Sequence, residues 1–183
     1  DFTIYGNVGT KVIDVNGSSS ARDIVASVNG VQGETGVYAE AQTRVNMSFP
    51  EQAVATSDSV TFKLYGKNTL PQVISGTVEF GITNGRDANV RALADAVNGA
   101  SGATGITAKV SADGSTLNLI SNEGYDIVLE GYELTSGSIS ANVYPANESL
   151  VNIGTASVLT EGAVNNNSMR VGGVLTFHSP YVF

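Results

Sequence analysis

The 183-residue sequence has no cysteine and a single histidine, His178. A disulfide framework and thiolate chemistry are thereby excluded, and few good ligands remain for zinc or iron, so no metal or cofactor is expected. Basic residues are scarce too. Nine Lys and Arg stand against 17 Asp and Glu, a net charge of −8, and no basic cluster could neutralise a row of phosphates. Nucleic acid and membrane are therefore poor partners. No apolar run reaches the roughly 18 residues of a membrane span, and no basic-then-apolar signal segment opens the chain.

What is present suits a folded chain. Hydrophobic residues make up 42% of the sequence, and the length suffices for one large domain or two small ones. Both ends, Asp1-Phe2-Thr3-Ile4-Tyr5 and Val174 to Phe183, read as strand sequence rather than polar tails, as expected of a fragment of a longer polypeptide.

The scattered reactive groups give no catalytic constellation. His178 has no Gly-x-Ser-x-Gly elbow to serve, so a histidine on a strand face is expected. Asp14, Glu40, Glu79, Asp113, Asp126, Glu130 and Glu133 are dispersed and read as solvated faces. Asp113-Gly114-Ser115 reads as a hairpin turn, not a calcium loop. The glycines of Gly99 to Gly105 follow a helix instead of preceding one, the wrong polarity for a phosphate cradle. Asn46-Met47-Ser48, Asn147-Glu148-Ser149 and Asn166-Asn167-Ser168 fit the N-glycosylation pattern, one that arises readily by chance. Phe2, Tyr5, Phe62, Tyr65, Phe80, Tyr125 and Tyr132 recur in strands, which favours core packing over a sugar-stacking platform.

The most informative feature is an internal repeat. Val28-Asn29-Gly30-x-x-Gly33-x-Thr35-Gly36-Val37-x-Ala39 matches Val97-Asn98-Gly99-x-x-Gly102-x-Thr104-Gly105-Ile106-x-Ala108 at an offset of 69. Upstream, Phe2-x-Ile4-Tyr5-Gly6 matches Phe62-x-Leu64-Tyr65-Gly66 at an offset of 60, so the second copy carries nine more residues between strand and helix.

Within each copy, apolar residues at spacings of three and four predict a helix: Ala21, Ile24, Val25 and Val28, then Val90, Leu93, Ala94 and Val97. Ser18 to Ser20 would cap the first and Asn84 or Asp87 the second, with Arg86, Arg91 and Asp95 facing outward. Asn29-Gly30 and Asn98-Gly99 are expected as left-handed stops, followed by strands over Val37 to Phe49 and Ile106 to Ala112. Each unit is thus strand-strand-helix-strand.

Thr116 to Ile127 reads as a hairpin with Leu117, Leu119, Tyr125 and Ile127 on one face. A similar piece at Leu175 to Phe183 suggests that the last segment completes the first copy, the second being inserted into it. The expected fold is α+β and β-rich, with two small domains, each a twisted, mostly antiparallel sheet with one packed helix. A discontinuous base domain over 1–57 and 146–183 would carry an inserted domain over 58–145.

The helix followed by Val-Asn-Gly-x-x-Gly-x-Thr-Gly-Val-x-Ala resembles the short motif repeated in the variable outer domains of bacterial flagellins, and in Gly36 to Arg44 the likeness runs on into the strand. The filament cap protein looks like a related user of such a unit, so a cap or hook-associated protein is the alternative. The resemblance implies a secreted, extracellular, non-enzymatic module on the bacterial flagellum. It would be a monomer alone, with neighbouring flagellin subunits as partners through regions outside this fragment, and with O-linked sugars on exposed Ser or Thr. Surface coating, antigenic variation, stiffening and adhesion are the roles implied. A rival reading is an adhesin that grips a glycan or host surface.

Overall fold

The computed structural model describes residues 1–50, 56–80, 88–135, 140–162 and 167–180. The first copy of the repeat forms β1 (Phe2–Tyr5), β2 (Thr10–Ile13), α1 (Ala21–Gly30), a further helical turn α2 (Gln32–Thr35) and the long strand β3 (Tyr38–Ser48). The second forms β4 (Thr56–Tyr65), β5 (Gln72–Phe80), a two-residue β6 (Ala88–Asn89), α3 (Arg91–Gly99), α4 (Ser101–Thr104) and β7 (Thr107–Val110). Then follow β8 (Thr116–Ser121), β9 (Ile127–Leu134), β10 (Ala141–Pro145), β11 (Ser157–Leu159), β12 (Met169–Val171) and β13 (Val174–His178). The strand-strand-helix-strand unit is there twice, and the fold is α+β, β-rich, with antiparallel pairing throughout the described strands.

The helices form where apolar periodicity and capping agree. Ser20 opens α1 with a reciprocal box: its hydroxyl oxygen accepts the Asp23 N–H at 3.3 Å, while the Asp23 carboxylate accepts the Ser20 hydroxyl and N–H, both at 2.8 Å. These two bonds favour the ionised carboxyl, the side-chain one most, and hold Asp23 below the usual carboxylate range. The contribution is complete above the unfolded value of about 3.9 and is lost as pH falls through the lower folded value. Amides in the first turn of α1 are therefore expected to lose protection in hydrogen exchange at pH 2 relative to pH 5. Asp23→Asn should erase that pH dependence.

In α3 the buried face is Val90, Leu93, Ala94 and Val97, with Arg91 and Asp95 exposed, as the periodicity predicts. Among the described residues no side chain bonds the Val90 N-cap position, and Asn89 Oδ1 accepts the Arg91 N–H at 3.3 Å. Asn84, Arg86 and Asp87 lie outside the described residues.

Two sheets enclose one core. The first runs β11-β10-β3-β8-β7 and the second β12-β9-β4-β5-β6. Val45, Met47, Leu117, Leu119 and Val143 meet Phe62, Leu64, Ile74, Ile127 and Leu129 inside, with α3 packed alongside. A second, smaller core gathers Ile4, Ile13, Val28, Val37 and Ala39 under α1. Strand β3 belongs to both: residues 38–42 pair with β13, and residues 43–48 pair with β8.

The expected hairpin over Thr116 to Ile127 does not form. Both sides of β8 are already taken, by β7 and β3, so it has no edge to offer. The link 122–126 instead crosses to the other sheet, where β9 pairs with β4. Leu117, Leu119 and Ile127 still share the core, but Tyr125 lies under the Arg22 guanidinium, 4.6 Å from its ring centre. The turn at Asp113-Gly114-Ser115 does close a hairpin, between β7 and β8. The expected pairing of the final segment with the first copy also holds for β13, while Tyr181, Val182 and Phe183 lie outside the described residues.

Candidate functional site

The repeated motif folds into a clasp that joins a helix, the strand after it and the hairpin before it, with the same contacts in both copies. Val28 and Val97 are fully buried and anchor the helix. The next residue reaches the returning strand. Asn29 Oδ1 accepts the Ala39 N–H at 2.8 Å and its Nδ2 donates to the Ala39 carbonyl at 3.0 Å; Asn98 makes the same pair to Ala108 at the same distances. A carboxamide is the side-chain equivalent of a peptide group, offering one donor face and one acceptor, so this asparagine substitutes for a neighbouring strand.

The threonine closes the turn. Thr35 Oγ1 donates to the Val31 carbonyl at 3.1 Å and accepts the Val37 N–H at 3.2 Å, and Thr104 repeats this with Ala100 and Ile106. Gly36 and Gly105 then take the left-handed conformation, at φ 74° and 70°, which lets the chain reverse into β3 and β7.

Gly30, Gly33, Gly99 and Gly102 behave differently from the expectation. They have no positive φ, and the helices run through Gly30 and Gly99 to a single-residue joint at Val31 or Ala100, then continue as α2 and α4. The left-handed stop falls six residues later than Asn-Gly, because the threonine and asparagine bonds hold the extra turn in place.

Two glycines outside the named motif complete the clasp. The Thr35 carbonyl accepts the Val8 N–H at 3.4 Å, and the Thr104 carbonyl accepts the Lys67 N–H at 2.9 Å. Beside these carbonyls lie Gly6 and Gly66, so close that a Cβ would stand 1.8 Å and 2.2 Å from the oxygen. Their signal was in the sequence, as the glycine that ends Phe-x-Ile-Tyr-Gly and Phe-x-Leu-Tyr-Gly.

The asparagine and threonine side chains of the clasp are thus committed to the protein's own backbone. The remaining reactive groups are dispersed. His178 stacks on Tyr38, ring centres 4.9 Å apart, with Glu40 3.8 Å away. Glu130 accepts the Tyr65 hydroxyl at 2.7 Å, Asp126 pairs with Arg170, and Asp113 bonds within its own turn. Among the described residues no three His, Cys, Asp or Glu gather as metal ligands, and no helix is long and apolar enough to cross a membrane. Asn46 of the first glycosylation triplet is buried, its amide bonded to Leu150, Asn152 and Asn118. Asn166 lies outside the described residues.

Both copies are matched by one family model, described as the flagellin hook IN motif, over residues 1–49 and 59–123. The chain belongs to the flagellin hook IN motif family. No curated protein matches it in sequence. The two matched spans cover the two clasps and their leading hairpins. Flagellins are structural proteins that assemble with one another into the exported filament of the bacterial flagellum, and the chain is accordingly a flagellin-related structural module.

Proposed function

We propose that this chain is the outward-facing part of a flagellar filament protein, a surface coat that carries antigenic variation, stiffens the filament and provides contact with host surfaces. The observation that carries this reading is the doubled clasp, each copy of which the flagellin hook IN motif model matches, over residues 1–49 and 59–123.

The division into a base of 1–57 with 146–183 and an insertion of 58–145 belongs to the same proposal. It is supported by the register of β13 on β3, where Leu175 opposite Ala41 and Phe177 opposite Ala39 stand as Leu117 opposite Val110 and Leu119 opposite Ala108 do in the second copy. The second half of β3 then acts as the joint between the two units.

Immunogold labelling of intact filaments with antibody to this chain tests the reading. Gold along the whole filament is expected; gold confined to the tip would assign the chain to a cap or hook-associated protein instead. A glycan-gripping role has weaker support. The groove beside α1 is lined by Arg22, Arg44, Gln42 and Asn122, but these are already bonded to Glu123 or to one another.

A further inference from the structure

The tripeptide Val-Asn-Gly occurs three times, at Val15-Asn16-Gly17, Val28-Asn29-Gly30 and Val97-Asn98-Gly99. An asparagine before glycine is prone to lose its side-chain amide, because a glycine without a Cβ leaves its backbone nitrogen open to the neighbouring carboxamide. With the same residue on either side, the three asparagines are chemically alike in an unfolded chain, and any difference between them is set by the fold. All three are exposed, so burial does not separate them. Bonding does.

At Asn29 and Asn98 the carboxamide is held at both ends by the backbone of Ala39 and Ala108. Gly30 and Gly99 stand in α1 and α3, where each backbone N–H points along the helix axis toward the carbonyl four residues back and away from the preceding side chain. Asn16 differs on each count. It opens a turn in which the Ser19 N–H donates to the Asn16 carbonyl at 3.0 Å, with Gly17 and Ser18 at the centre. Among the described residues neither the Asn16 carboxamide nor the Gly17 N–H has a hydrogen-bond partner. Gly17 is itself exposed, and a Cβ placed on it would meet nothing within 4 Å.

We propose that Asn16 is a site of spontaneous covalent modification, converting to aspartate and isoaspartate in the folded chain while the two clasp asparagines are preserved by their bonds. The Gly17 backbone nitrogen attacks Asn16 Cγ. A bond forms between them, the Cγ–Nδ2 bond breaks, and ammonia leaves with the proton from the Gly17 N–H. Water then opens the cyclic imide, and no oxidant or further co-reactant is needed. Opening at one carbonyl gives aspartate, and at the other isoaspartate, which carries an added methylene in the backbone. Either product adds a negative charge to a surface groove that Asn16 lines with Asp14, Ser18, Ser19 and Asp23, at the entry to α1. The site is independent of the filament reading.

The folded chain is incubated in mildly alkaline buffer beside a sample unfolded in urea, and both are then cut with trypsin. Asn16, Asn29 and Asn98 fall in the peptides 12–22, 23–44 and 92–109, each of which holds a single asparagine. Mass spectrometry reads the change of amide to acid, and the isoaspartate, in each peptide. In the folded chain Asn16 is expected to convert at least about tenfold faster than Asn29 or Asn98, which react only when the clasp opens. In urea the three rates should converge. Equal rates in the folded chain would overturn the proposal. So would an equal lead for Asn16 in urea, since the fold would then not be what selects it. Gly17→Ala, which fits because Gly17 has no positive φ and open space around it, should slow conversion at Asn16 severalfold and leave the other two unchanged. An unaltered rate at Asn16 in that variant also overturns the proposal, because the attacking nitrogen would not be that of Gly17.

Discussion

Gly66→Ala is expected to destabilise the protein by about 3 kcal/mol or more, the sum of a steric clash and a displaced hydrogen bond. Its Cβ would stand 2.2 Å from the Thr104 carbonyl oxygen and 2.9 Å from Ile106 Cδ1, and the first of these is backbone fixed by the threonine turn. Relief requires β4 to move off α4, which breaks the bond from the Lys67 N–H to the same carbonyl. Gly99→Ala is the matched control. Gly99 is helical with nothing within 4 Å of its Cβ, so alanine should stabilise by about 0.5–1 kcal/mol through lower unfolded-state entropy. Urea unfolding of the two variants separates the readings. Equal midpoints would mean that the repeated glycines matter only as flexible residues and that the close approach plays no part.

The second large effect is expected at Asn98. Asn98→Ala removes two hydrogen bonds at once and leaves both backbone groups of Ala108 without their side-chain partner, at a cost of about 2–4 kcal/mol. Asn98→Asp keeps the acceptor for the Ala108 N–H but sets a carboxylate oxygen against the Ala108 carbonyl, so it should not rescue. Unfolding midpoints together with the exchange rate of the Ala108 amide read the effect. A variant as stable as the parent, with Ala108 still protected, would show that the β7 to β8 ladder holds this segment unaided. The same pair of changes at Asn29 should act on the smaller core, where Ala39 packs against Val28.

Features recurring at short range are legible in the amino-acid sequence alone. Apolar spacings of three and four place α1 and α3 with their buried faces, Ser20 announces its cap, and the doubled motif locates both clasps. What the asparagine and threonine bond is not legible there, because each reaches a backbone group whose position depends on how the strand returns. Asn118 shows the same limit. It stands between Leu117 and Leu119, in a strand whose sequence names no partner for it. In the folded chain it is 5% exposed and bonds the buried Asn46.

The sequence by itself determined the repeated unit, the helix faces and the Asp113-Gly114 turn, since these depend on residues a few positions apart and on the backbone each residue type tolerates. Only the tertiary structure decided which strands became neighbours. Pairing is a competition among strands for backbone partners, and its outcome depends on which edges remain open: β8, enclosed by β7 and β3, could not take β9, and β4 could. Among the described residues β1 pairs with β2 alone, and Tyr5, an aromatic in a strand and an expected core residue, is left in solvent.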